Sequence, residues 1–225
     1  MLRRQRQHEL HVGQRFVMRP SEGFGSQASR GTVARAVSIA GHPAIVVPAT
    51  ITLAAARRDA TPPAVGVILF AALAVAVSAL VYSFAQVRSG TWAHIDASVP
   101  SERNQLNPLL AIALMIAAMA LLAAGQDAQV STGFAMAAAM VGACHLLRAW
   151  FKASLHVGFI VFSAFLAWPL AWVAGALLAL AAIVSWSRLA LHRHTVRDVV
   201  AGAVLGAAAG AGVLVFGVRH AILHT

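Results

Sequence analysis

From Val33 onward the chain is a succession of long apolar runs separated by short polar turns. Inside a bilayer every backbone N–H and C=O needs a partner within the protein, so spanning segments are restricted to a small menu. A helical crossing takes roughly 20 predominantly apolar residues. The runs fall near 33–56, 64–87, 109–124, 130–147, 157–167, 170–186 and 199–218. With 60% hydrophobic residues, 11% charged residues and a mean hydropathy of +0.76, a soluble domain is excluded. The expected fold is all-α: a polytopic membrane helical bundle of six to seven transmembrane helices, forming one domain over 33–220. Residues 1–32 carry Arg3, Arg4, Arg6, Arg15, Arg19 and Arg30 with few large apolar side chains. They read as a disordered basic tail with no signal-peptide core behind the first arginines, and Met18 is an alternative start.

The formal charge of +10 raises the question of nucleic acid. The basic residues sit between apolar spans, however, which suits orientation signals and contacts to anionic headgroups or phosphates. The expected partner is the bilayer, with no nucleic acid. If the spans alternate, one face collects 14 Lys and Arg and the other 3. The positive-inside rule then places the first face, which holds all three polar loops, in the cytoplasm of a bacterial-type inner (plasma) membrane. The single cysteine, Cys144, lies in an apolar run and excludes an internal disulfide. No haem, zinc or iron–sulfur spacing is visible, and no cofactor is expected.

Between the last two long runs lies Ser187-Arg188-Leu189-Ala190-Leu191-His192-Arg193-His194-Thr195-Val196-Arg197-Asp198. Ionisable residues clustered at a membrane boundary mark a functional site by default. His194 and Asp198 are four apart, so on a helix they share a face and the carboxylate can hold the imidazole. Ser187 and Arg188 offer a hydroxyl and a planar guanidinium, both suited to phosphate oxygens. The alternative is a solvated basic loop at a helix end.

The spacing S-R-x5-H-x3-D, continuing into Asp198-Val199-Val200-Ala201-Gly202, resembles the third signature of the type-2 phosphatidic acid phosphatase family. That family includes lipid phosphate phosphatases, polyprenyl-diphosphate phosphatases and, more distantly, vanadium haloperoxidases. A partial second signature, P-S-G-H in the family, stands as Ala153-Ser154-Leu155-His156. The first signature, K-x6-R-P, is missing from the polar stretch 88–107: Asn107-Pro108 replaces Arg-Pro, and Pro100 falls at the lysine position. Arg103, Arg148 and Lys152 are the candidates for a replacement cation, with Asp96 and Glu102 near the first of them.

The resemblance implies phosphoryl transfer from a lipid phosphate or polyprenyl (di)phosphate to water, without a metal. His194 would be the nucleophile, Asp198 would fix its tautomer, and His156 would protonate the leaving alkoxide. Arg188, Ser187 and Ser154, with the backbone around Leu155, would hold the phosphate oxygens. The hairpin breaking at Trp168-Pro169 would bring His156 and His194 to one side. Gly202, Gly206 and Gly210 would let the last helix seat closely against a neighbour. His42 reads as a packing or kink residue. Two other classes compete. One is a catalytically inactive membrane scaffold or transporter of the same fold, favoured by the degraded first signature. The other is an intramembrane prenyl transferase, disfavoured because Asp59, Asp96 and Asp127 are scattered rather than clustered.

Overall fold

The computed structural model describes residues 24–57, 61–97, 99–168 and 170–223, with the backbone alone for 24–30 and 218–223. Among the described residues eight α-helices follow in order: α1 (Phe24–Ala40), α2 (Pro43–Ala56), α3 (Pro62–Arg88), α4 (Pro100–Ala123), α5 (Ala128–Leu146), α6 (Leu155–Leu166), α7 (Ala171–Ala190) and α8 (Val196–Leu223). Among the described residues, six helical stretches are long and apolar enough to cross a membrane, and α6 is a shorter apolar helix. The protein is a polytopic all-α bundle. Of the segment expected to be a tail, residues 24–32 are helical, and the remainder lies outside the described residues, as do Arg58 and Pro169.

The first apolar run is not one helix. It breaks at Gly41-His42, because Pro43 pushes the residue before it out of the helical region. His42 takes an extended conformation (φ −68°, ψ 135°), and its Nδ1 accepts the Ala44 N–H at 3.1 Å as the N-cap of α2. Pro43 then occupies a first-turn position, where its missing N–H does no harm. The kink foreseen for His42 is therefore a chain break with a cap.

The polar stretch 88–107 is also shorter as a loop than its composition suggests. Helix α4 begins at Pro100, which puts Glu102, Arg103 and Asn107 on a helix rather than in a loop. Buried Glu102 organises what remains, since its carboxylate accepts from the N–H groups of Ala93, His94 and Val99 at 2.8, 3.2 and 3.1 Å. Trp92, also buried, packs edge-on against Tyr82 and donates its indole N–H to Gln105. Tyr82 thus pins this loop.

Helices α6 and α8 pack backbone to backbone. A Cβ on Gly206 would lie 2.2 Å from the Gly158 carbonyl oxygen, and one on Gly202 would lie 2.4 Å from that of Ser154. Small residues at four-residue intervals permit this approach. The result is that the first turns of α6 and α8 lie side by side. At the end of α7, His192 takes the left-handed conformation (φ 52°) usually left to glycine. The turn it forms, closed by the Arg193 N–H on the Arg188 carbonyl, sends the chain back toward α8.

Candidate active site

Four segments meet at one end of the bundle: the end of α7, the 191–195 turn with the start of α8, the 150–154 segment with the start of α6, and the first turns of α4. The contacts are specific. His194 Nδ1 lies 3.1 Å from the Lys152 carbonyl oxygen, and its Nε2 lies 2.8 Å from Arg103 Nη2. A carbonyl only accepts and a guanidinium only donates. The neutral imidazole therefore carries its proton on Nδ1, and the Nε2 lone pair faces Arg103. The imidazole side chain is fully buried. Burial, then the charges of Arg103, Arg188 and Lys152, outweigh the opposing pull of Asp198 and push its pKa down to about 3.

Asp198 holds His194 differently from the way four-residue helical spacing suggests. His194 precedes α8 instead of lying on it, and the Asp198 carboxylate is 3.8 Å from Nδ1. Its oxygens accept instead from two backbone N–H groups, Lys152 and Thr195, both at 2.9 Å. The Asp198 N–H in turn donates to Thr195 Oγ1, so Thr195-x-x-Asp198 forms a reciprocal cap that starts the helix three residues early. The Asp198 carbonyl also accepts the Ser154 N–H at 2.9 Å. Asp198 thus fixes the Lys152 peptide, and the Lys152 peptide fixes the histidine.

Arg188 is completely buried in the last turn of α7. Its Nη1 donates to Ser38 Oγ at 3.0 Å and to Asp96 Oδ2 at 3.1 Å, and the same carboxylate pairs with Arg193. Its Nε and Nη2, and the hydroxyl of fully buried Ser154, have no partner among the described residues. Buried donors of this kind are costly to leave unpaired. They stand beside the start of α6, whose first N–H groups lack intrahelical acceptors and favour an anion.

The other residues picked out from the sequence divide. His156, in the first turn of α6, is buried and sits edge-on to His42, with ring centroids 5.0 Å apart. Of the three candidate replacement cations, Arg103 reaches His194, and it also donates to the carbonyls of Ala97 and Ala153 at 3.0 Å each. The Lys152 ammonium is half-buried and donates to the Arg193 carbonyl at 3.4 Å, beside the site. Arg148 is exposed and bonds the His145 carbonyl of its own helix end, which removes it from the cluster around His194. The Ser187 hydroxyl donates to the Ala34 carbonyl at 2.6 Å, so it ties α7 to α1 rather than joining the cluster around His194. Sequence reasoning missed Ser38, Arg193 and the pairing role of Asp96. Among the described residues, no three His, Cys, Asp or Glu side chains converge as a metal ion would need.

Residues 128–221 match the family model of the PAP2 superfamily. No curated protein and no solved structure matches the chain. The matched stretch covers α5 to α8 and so contains Ser154, His156, Arg188, His194 and Asp198, whereas Arg103, Asp96 and His42 lie outside it. By this match and by the signatures it carries, residues 128–221 of the chain are similar to the PAP2 superfamily.

Proposed function

We propose that the protein is a membrane phosphatase that hydrolyses a lipid phosphate or polyprenyl (di)phosphate through a phosphohistidine on His194, with no metal. The observation that carries this reading is the state of His194: proton on Nδ1, lone pair on Nε2, in a cluster with buried donors on Arg188 and Ser154 that lack partners among the described residues. Nε2 attacks phosphorus and the bond to the lipid oxygen breaks. His156 enters the step as the imidazolium, having taken up the proton of the phosphate monoanion, and gives that proton to the oxygen as it leaves. Arg103 moves its hydrogen bond from Nε2 to a phosphate oxygen, while Arg188, Ser154 and the first N–H groups of α6 hold the others as charge develops. The Lys152 carbonyl keeps the Nδ1 proton in place while the phosphorylated ring is positively charged. Water then attacks the phosphohistidine with His156 as base, which restores both histidines. The substrate enters from the bilayer, and the face of the membrane it enters from is taken to be cytoplasmic by the charge count.

The test separates the two histidines. A nucleophile is needed for every phosphate ester, whereas a general acid matters only for a basic leaving group. His194→Ala should abolish turnover of both an alkyl lipid phosphate and p-nitrophenyl phosphate. His156→Ala should be severe on the lipid and recover much of its activity on p-nitrophenyl phosphate. Equal losses on both substrates overturn the division of roles, and an active His194→Ala overturns the phosphohistidine. The competing reading, an inactive membrane scaffold, draws on the missing lysine and arginine of the first signature. It wins if the wild-type protein releases phosphate from none of phosphatidate, phosphatidylglycerophosphate, sphingosine phosphate and polyprenyl mono- and diphosphates.

A further inference from the structure

An apolar cleft of about 120 Å³ runs from the site down the bundle between α2, α3, α4, α5 and α6. Its upper end holds His42, Asp96, Arg103, Asn107 and His156, and the Asn107 side-chain oxygen is buried there without a partner among the described residues. Below that level the walls are hydrocarbon. Room is left because α3 presents Ala72, Ala76, Ala79 and Ser83 on one stripe, where larger side chains would fill the gap.

The floor is formed by Ile51, Leu114, Gly133 and Phe134. Ile51 and Gly133 also line a second, smaller cavity of about 30 Å³ that continues toward Gln129 and Val213, so they act as a partition between the two. Eight residues of α2 separate Pro43 from Ile51, which is about 12 Å of helix. Half of a hydrocarbon core about 30 Å thick is about 15 Å, so the cleft reaches close to the bilayer midplane. Its width is limited as well. A dry cavity of about 150 Å³ accommodates one benzene, and this one is of that order.

We propose that the cleft takes a single hydrocarbon chain of the substrate, with the phosphate at its polar end, and that Ile51 and Gly133 set the chain length. The proposal deepens the phosphatase reading and rests on it for the identity of the headgroup. The cleft is continuous with the cationic end that would hold the phosphate, and the small volume excludes two chains side by side. A substrate with one slender tail, or one tail threaded inside and any other left in the bilayer, fits this shape.

The test uses non-hydrolysable alkyl phosphonates, so it reads binding whether or not the protein is a phosphatase. In the full-length protein with Cys144→Ala, a cysteine placed in the wall as Ala76→Cys or Ala79→Cys is alkylated by an apolar maleimide in detergent. Protection is then measured with butyl, octyl, dodecyl and hexadecyl phosphonates. Each methylene that enters the cleft should strengthen protection roughly fourfold, until the chain tip meets Ile51 and the gain stops. Ile51→Ala should move that limit to a longer chain by opening the second cavity, and Ile51→Phe should move it to a shorter one. Protection that climbs with chain length without a limit, or a limit that stays in place in both Ile51 variants, overturns the proposal. So does an absence of protection at either cysteine. A protein that shows the chain-length limit yet releases phosphate from no ester retains the cleft assignment and loses the phosphatase reading, while the reverse result loses the cleft alone.

Discussion

At the scale of single residues, Arg103 decides what His194 can do. Its Nη2 sits 2.8 Å from the lone pair that would attack phosphorus, and its charge is the largest electrostatic cause, after burial, of the depressed pKa. His194 is consequently neutral down to about pH 3, so the acid limb of kcat/KM should not come from its protonation. It should instead follow groups that titrate higher, the substrate phosphate with a second pKa near 6 among them. Arg103→Gln removes one cause of the depression while burial, the largest, remains, so the His194 pKa should rise from about 3 but stay below 6.5. The expected result is a loss of about 2–4 kcal/mol of transition-state stabilisation at neutral pH, with a further loss as the pH falls. A pH–rate profile on p-nitrophenyl phosphate checks this, and an unchanged rate and profile would remove Arg103 from the site. The same shift affects stability. An unfolded chain takes up a proton near pH 6.5 that the folded protein refuses until about 3, so this residue erodes stability as pH falls through that window. Asp96 has the opposite sign. Its carboxylate engages Arg188 and Arg193, where it competes with an incoming phosphate. Asp96→Asn should therefore strengthen inhibition by inorganic phosphate, whereas weaker inhibition would mean that Asp96 holds the arginines in place for the phosphate.

At the scale of elements, the seam between α6 and α8 carries the site. Ser154 and His156 belong to one helix start and Asp198 to the other, and the glycines set how closely the two approach. Gly206→Ala adds a methyl where the Gly158 carbonyl already lies, so unfolding in detergent should be easier by about 1–3 kcal/mol. Gly202→Ala presses on Ser154 itself and should lower activity beyond its effect on stability. Gly175→Ala is the control, because no atom lies within 4 Å of its added Cβ, and its thermal midpoint should not fall. A Gly206→Ala midpoint equal to that of Gly175→Ala would mean that the seam yields freely. This seam was legible in the sequence because the spacing of Gly202, Gly206 and Gly210 is local, and so was the S-R-x5-H-x3-D pattern. The rest depended on distant partners. Arg103 and His194 are 91 residues apart, and Asp96 and Arg188 are 92, so no spacing rule pairs them. Two local signals were present but misread. Thr195-x-x-Asp198 is a helix start, which takes His194 off the helix, and Pro100-x-Glu102 is another, which turns half a polar loop into the helix that carries Arg103.

At the scale of the whole molecule, the loops that build the site come from three separate returns of the chain to one end of the bundle. The contacts among Arg103, Lys152 and His194 fix them together, and the turn at 124–127 lies between α4 and α5 at the other end. Helix α6, with 12 residues, spans about 18 Å, against about 30 Å for the 20 residues of α7. Because the two share a hairpin, the start of α6 lies below the last turn of α7, and the proposed phosphate seat is recessed from the surface. Such a seat suits a headgroup drawn inward from the bilayer edge. Charge bears on which leaflet supplies it. Among the residues whose side chains are described, Arg35, Arg88, Arg103, Arg148, Lys152, Arg188, Arg193 and Arg197 lie toward the site end and Arg57 toward the opposite end. That excess does not depend on the site itself: with Arg103, Arg148, Lys152 and Arg188 set aside it still favours the same end, which the positive-inside rule assigns to the cytoplasm. The expected outcome can be read in intact cells carrying the Cys144→Ala protein. A cysteine at exposed Thr91, on the site end, should resist a membrane-impermeant maleimide until the cells are opened, whereas one at exposed Ala124, on the far end, should react at once. Labelling of Thr91→Cys in intact cells, with Ala124→Cys protected, would reverse the orientation. The active site would then draw its substrate from the outer leaflet, and the basic residues around it would have to be explained by phosphate binding alone.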